Sequence, residues 1–261
     1  MIFRLLLDSA HPGAWNMAAD ETLLLQNAGT NPLPTLRFYS WEPCCLSLGR
    51  LQKILPPGAF LCDSERDFDL VRRPTGGRAV WHDAEVTYSI SAPLEFLPPD
   101  ARSVQGAYEW LSRGFLLGLE ALGVKSQLAP PDKRGEGGPN CFASSAACDF
   151  LSHGKKLIGA AQCRLDGAFL QHGSLLLSLD EQAWREKTGG PMGGATSLEE
   201  LGVRASRATV VAALCQGFER ASGATLREGG WSEGELREIE RLRTEKYGIR
   251  EWTLSGAPPL R

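Results

Sequence analysis

One stretch, Asn140 to Ser174 (NCFASSAACDFLSHGKKLIGAAQCRLDGAFLQHGS), holds a thiol, a primary amine and an imidazole. Cys141 follows a glycine-rich loop, Lys156 opens a strand-like run, and His172 stands in a Gln-His-Gly turn. A thiol in a polar loop becomes a nucleophile when a nearby cation lowers its pKa from about 8.5, because the thiolate does the attacking. Lys156 is a candidate for that cation, or for the group that polarises a thioester carbonyl. Each residue also has an ordinary reading: a small buried hydrophobe for the cysteine, a solvated surface charge for the lysine, a structural imidazole for the histidine.

A second stretch, Val71 to Ile90 (VRRPTGGRAVWHDAEVTYSI), is dense in arginine and glycine. Gly76 and Gly77 let the backbone approach a ligand closely, presenting N–H groups to an acyl carbonyl, a carboxylate or a phosphate. Arg72, Arg73 and Arg78 would supply charge to an anionic group. A glycine turn with solvated arginines is the plain alternative. No Walker loop and no G-x-G-x-x-G occurs. The four histidines lie far apart, none at i, i+4, and there is no C-x-x-C, so no metal site is expected.

The elements that must position these groups mix helix and strand. Phe3–Asp8 and Leu36–Trp41 alternate as strands, and Trp15–Gln26 between them reads as a helix with an acidic start. Ser103–Leu122 is an amphipathic helix capped by Ser103 and stopped by Gly123. Lys156–Arg164 and Ala168–Leu179 form a hairpin about Asp166-Gly167. Ser232 and Glu235 make a capping box ahead of Leu236, Ile239, Leu242 and Tyr247, in helices expected to be peripheral. Pro130–Asn140 and Lys187–Ser197 are long loops of the functional kind. The expectation is a single α+β domain over residues 1–261, with a mixed or antiparallel sheet flanked by helices.

Composition bounds the function. With 43% hydrophobic and 23% charged residues and 29 glycines, the chain is neither disordered, collagenous nor a coiled coil. The balance of 28 basic against 31 acidic residues, net −3, provides no footprint for nucleic acid. No run approaches the ~20 apolar residues of a membrane helix, and the start, interrupted by Arg4 and Asp8, is no signal peptide. Seven irregularly spaced cysteines fit a reduced, cytoplasmic protein.

Five ordered blocks resemble the lipoate and biotin protein ligase superfamily. They are Asn16-Met17-Ala18 with Asp20-Glu21; Tyr39-Ser40-Trp41-Glu42-Pro43 with Ser47-Leu48-Gly49 and Gln52; the arginine–glycine stretch; Gly154-Lys155-Lys156 with Gly159, Ala161 and Gln162; and Leu170-Gln171-His172-Gly173-Ser174. Within it, Arg78 in place of a third glycine, and Glu85-Val86-Thr87-Tyr88-Ser89 beyond, are similar to the cysteine-dependent octanoyltransferase subgroup. That subgroup carries a Cys-Phe pair fifteen residues before the strand lysine, matched by Cys141-Phe142 and Lys156. The resemblance implies octanoyl transfer from octanoyl-acyl carrier protein to the lysine of a lipoyl domain or glycine-cleavage H protein, through a Cys141 thioester, with no cofactor and no ATP. Lys156 would hold the carbonyl oxygen; Gly76 and Gly77 would line the acyl slot, with His82 near it; Gly159 would be among the substrate-binding residues; His172 would shape the lysine's strand; and Arg72 and Arg73 would shape the site or meet an acidic carrier. A monomer is expected. The Ala-Ser-Ser-Ala-Ala-Cys-Asp that follows the Cys-Phe pair departs from the subgroup, leaving Cys148 as a second thiol for the role. The other readings are the catalytic domain of an ATP-dependent lipoate ligase and a non-catalytic binding module.

Overall fold

The computed structural model describes residues 1–53, 67–130, 149–188 and 194–256. In chain order its strands are β1 (Ile2–His11), β2 (Thr35–Trp41), β3 (Cys45–Leu48), β4 (Asp69–Arg72), β5 (Val80–His82) and β6 (Glu85–Pro93), then β7 (Gln127–Leu128), β8 (Phe150–Ser152), β9 (Lys155–Leu165), β10 (Ala168–Leu176) and β11 (Thr225–Glu228). The helices are α1 (Gly13–Ala28), α2 (Val104–Ala121), α3 (Glu181–Thr188), α4 (Arg207–Ser222), α5 (Glu233–Leu242) and α6 (Arg250–Ser255). Eight strands form one sheet in the order β11-β1-β2-β6-β10-β9-β8-β7, and a small second sheet runs β4-β3-β5. β1 is parallel to both neighbours and the remaining pairs of the large sheet are antiparallel, giving the mixed α+β architecture expected.

Strand alternation divides the large sheet into two unlike faces. On β2 and β6, Leu36, Phe38, Val86, Tyr88 and Ile90 enter an apolar core with Leu111 and Phe115 of α2 and Val210 and Leu214 of α4. The intervening residues, Arg37, Tyr39, Trp41 and Thr87, face α1 and the small sheet instead, and all are buried. A buried polar face is stable only if its groups are bonded, and that requirement creates the site.

Local signals behave as their chemistry dictates. Asp166 (φ 43°) and Gly167 (φ 81°) make the β9–β10 turn with two left-handed residues. Ser103 accepts from the Gly106 N–H to cap α2, and Ser232 and Glu235 form the reciprocal box of α5. Two expectations are corrected. The acidic residues of α1 lie mid-helix, Asp20 fully buried, because they serve the polar face and not the helix terminus. The C-terminal helices are not peripheral: Ile239, Leu242, Tyr247 and Trp252 pack in one core with Met17 and Tyr39, while Leu236 is exposed. Of the two long loops, residues 131–140 and 189–193 lie outside the described residues; Ala195 bridges Lys156, the Lys156 N–H donating to the Gly194 carbonyl.

Candidate active site

Between the polar face of the large sheet and the small sheet lies a cleft. Its floor is β9 and β10, where Gly159 and Ala161, on the face shared with Ser174 and His172, carry almost no side chain and so leave the space empty. A Cβ on Gly173 would stand 2.7 Å from the Gly159 carbonyl oxygen and 2.8 Å from the Tyr88 ring. Met17, Tyr39, Trp41, Ser47, Arg73, Gly77, Val80 and His82 contribute to the rest of the lining. The lining is apolar with a few convergent polar groups, the pattern that fits an acyl chain.

Two hydroxyl–imidazole–carboxylate chains hold the walls. His172 places Nδ1 2.9 Å from Asp20 Oδ2 and Nε2 2.6 Å from Thr75 Oγ1. Asp20 also accepts from Arg37 Nη1 (2.9 Å) and the Tyr39 hydroxyl (2.9 Å). Burial pushes the Asp20 carboxyl up, but the His172 hydrogen bond and the Arg37 charge outweigh it and hold it below its ordinary value. Burial lowers His172 despite Asp20, so its neutral Nδ1–H form donates to Asp20 and accepts from Thr75. The second chain is Ser47–His82–Glu85, with His82 stacked on Trp41 at 4.0 Å.

The predicted residues fall in different places. Arg73, Gly77, His82, Gly159 and His172 line the cleft. Arg73 donates to the carbonyls of Ser47, Gly76 and Arg78, so it shapes the 73–78 loop. Gly76 contributes that carbonyl and does not line the cleft. Arg72 turns away: it donates to the carbonyls of Trp252, Thr253 and Leu254 at the end of α6 and to those of Gly49 and Gln52. A cation serving final-turn carbonyls is doing structural work. Lys156 is 1% exposed and its Nζ lies 2.8 Å from Asp149 Oδ2, itself buried. Cys141 and Cys148 lie outside the described residues. The four described cysteines, Cys44, Cys45, Cys163 and Cys215, have thiols pushed up by burial, to about 11 for Cys44 and about 12 for Cys163 and Cys215, so none is a standing thiolate.

Asp149, Ser47, Glu85, Thr75 and Trp41 carry the site's hydrogen bonds without having been singled out for it. The signal available was polar residues at alternate positions of strands whose other face is apolar.

The chain belongs to the family of the lipoyl protein ligase A/B catalytic domain, whose model matches residues 12–219. Among its relatives, a protein of Kyrpidia tusciae named octanoyltransferase LipM is 38% identical, covering 96% of this chain and 97% of its own. The octanoyltransferase LipM of Symbiobacterium thermophilum is 36% identical, covering 95% and 97%. In fold, the chain matches a crystal structure of lipoate-protein ligase A bound with ATP at a TM-score of 0.81, with 23% identity and 98% and 100% coverage. It also matches a structure from Thermoplasma acidophilum described as a bi-partite lipoate protein ligase and its E2 lipoyl domain, with a TM-score of 0.77, 23% identity and 98% coverage of each chain.

Proposed function

We propose that this chain is an octanoyltransferase that moves an octanoyl group from octanoyl-acyl carrier protein to the target lysine of a lipoyl domain or glycine-cleavage H protein, in protein lipoylation. The observation that carries the reading is the likeness, along nearly the whole length of both chains, to proteins named octanoyltransferase LipM. The geometry agrees: the apolar cleft fits a short acyl chain, with glycine and alanine where the chain would lie.

In this reading residues 1–261 are one catalytic domain acting as a cytoplasmic monomer, without cofactor or nucleic acid. No described helix is long and apolar enough to cross a membrane. Cys141 attacks the donor thioester, the acyl carbon bonds to sulfur, and the carrier leaves as its thiol. The acceptor lysine then attacks the acyl-enzyme, forming an amide and releasing Cys141. Thioester to amide is downhill, so the transfer requires no ATP. Lys156 steadies the oxyanion of each step, a contribution of about 3 kcal/mol for one well-aimed donor, and Asp149 holds it in place. Gly77, His82 and Gly159 line the acyl slot, His172 braces its floor, and Arg73 shapes its wall.

Intact-mass spectrometry after incubation with octanoyl-acyl carrier protein, without ATP, tests this. An octanoyl adduct lost in Cys141→Ser, kept in Cys148→Ser and discharged by an apo lipoyl domain is the expected result. Loss only in Cys148→Ser would move the nucleophile. Absence of an adduct, with acceptor acylation only when ATP and free acid are supplied, would make the chain a ligase. Retained ligand without transfer would make it a binding module.

A further inference from the structure

The two hydroxyl–imidazole–carboxylate chains are alike in form and differ in charge balance. Asp20, behind His172, is neutralised by Arg37, and its hydroxyl, Thr75, is fully buried and does not line the cleft. That chain is a brace. In the other, Ser47 and His82 both line the cleft. Ser47 Oγ lies 2.7 Å from His82 Nε2, and His82 Nδ1 lies 2.7 Å from Glu85 Oε1. The same Glu85 oxygen accepts from the hydroxyls of Thr87 and Ser174, while Oε2 has no hydrogen-bond partner. Glu85 is 3% exposed, and the ion pair recorded for it among the described residues is with His82. The His82 imidazole thus bridges a hydroxyl of the cleft wall and a buried carboxylate.

The geometry also sets the direction of proton flow. An oxygen accepting from two hydroxyls takes the Nδ1–H of His82 as its third donor, which leaves Nε2 as an acceptor for the Ser47 hydroxyl. Ser47 Oγ in turn accepts from Arg73 Nη1 at 3.1 Å, which polarises its O–H toward His82. The ring of Trp41, stacked within 17° of parallel, keeps the imidazole in plane. The charged and titratable groups facing His82 are Glu85 from β6, Arg73 from the loop after β4, His172 from β10 and Cys45 opposite it on β3.

Resting on the octanoyl-transfer reading, we propose that His82, positioned by Glu85, is the proton acceptor for the discharge of the acyl-enzyme, with Ser47 carrying the proton to it. The acceptor amine bonds to the acyl carbon and the C–S bond breaks, with its electron pair leaving on sulfur as thiolate. The nitrogen loses one proton to Ser47 Oγ as the hydroxyl proton of Ser47 passes to His82 Nε2. The imidazolium, held by Glu85, then returns that proton to the thiolate or to solvent, so no other acid or base is consumed. Glu85 is the positioning residue; Ser47 and His82 handle the proton.

The test separates two steps in single turnovers of the full chain: acylation by octanoyl-acyl carrier protein, and discharge of the isolated octanoyl-enzyme to an apo lipoyl domain across pH 5–9. General-base loss predicts that Ser47→Ala, His82→Ala and Glu85→Gln slow discharge by ~10²-fold or more, well beyond any slowing of acylation. Glu85→Gln is also expected to displace the acidic limb of the discharge profile, Ser47→Thr to retain discharge, and added imidazole to restore it in His82→Ala. Circular dichroism checks folding; should His82→Ala fail to fold, the near-isosteric Glu85→Gln and Ser47→Ala carry the test. Discharge at the unsubstituted rate and pH profile in those two variants would overturn the proposal. So would equal slowing of both steps, the mark of a purely structural role. If the unsubstituted chain forms no adduct, the transferase reading falls first and this one with it.

Discussion

Lys156 and Asp149 illustrate how a buried pair ties stability to chemistry. Both are at most 3% exposed and 2.8 Å apart, so removing one strips the other of a close charge partner in a desolvated place. Lys156→Met should cost about 3–5 kcal/mol of stability and lower octanoyl transfer by ~10²-fold or more. Adding Asp149→Leu should recover most of the stability and none of the transfer, which urea unfolding and single-turnover acylation measure separately. The His172–Asp20 pair sets an acid limit. The folded pKa of His172 is below its ordinary 6.5, so below about pH 6.5 the unfolded chain binds a proton that the folded chain refuses. Stability is full above that value and falls as the pH drops. Asp20, held below its ordinary 3.8, adds a further loss in the same direction at lower pH. His172→Gln should flatten the pH dependence of the urea midpoint between about pH 6.5 and 5, leaving the loss below pH 4 in place.

At the scale of elements, β10 is the hinge of the site because its two faces have different duties. Phe169 and Leu175 enter the apolar core, while His172 and Ser174 face the cleft. Gly173 lies between them, where the strand passes the Gly159 carbonyl and the Tyr88 ring too closely for a side chain. Gly173→Ala should therefore cost about 1–3 kcal/mol and reduce acylation by displacing β9 from β10. A thermal melt together with the octanoyl-adduct rate checks both; an unchanged melting temperature would mean that the strands give way freely. Gly49 plays a similar part on the other wall, where a Cβ would collide with the Gly77 carbonyl.

Across the whole molecule, Arg72 links the small sheet to the C-terminal helix over 180 residues of sequence. It donates to Trp252, Thr253 and Leu254, and the Trp252 indole N–H returns a bond of 2.9 Å to the Arg72 carbonyl. Arg72→Met would take the Arg72 donors from the Thr253 and Leu254 carbonyls, at about 1–3 kcal/mol for each group left without water or another partner, while the Trp252 and Gly49 carbonyls keep the Gly256 and Gln52 N–H donors. The expected result is faster amide exchange across residues 250–256 and a lower melting temperature, with the octanoyl adduct still forming. Exchange confined to the 73–78 loop would instead place Arg72 with the acyl slot.

Composition, alternation and turn chemistry made the α+β class, the β9–β10 hairpin and both helix caps legible, because those depend on neighbours a few residues apart. The ordered motifs made the family legible, and with it Arg73, Gly77, His82, Gly159 and His172 as residues of one site. Spacing could not separate Arg72 from Arg73: adjacent strand-end residues point to opposite sides, and only the packing of α6 showed which arginine was spent on its carbonyls. Nor could it show that Asp20 is neutralised by Arg37 while Glu85 takes its ion pair, among the described residues, from His82. Those partners are 17 residues apart in one case and three in the other, and what distinguishes them is burial. Charge balance in a desolvated cleft depends on which side chains share the same few ångströms, and that is settled only when two sheets and a helix close over them.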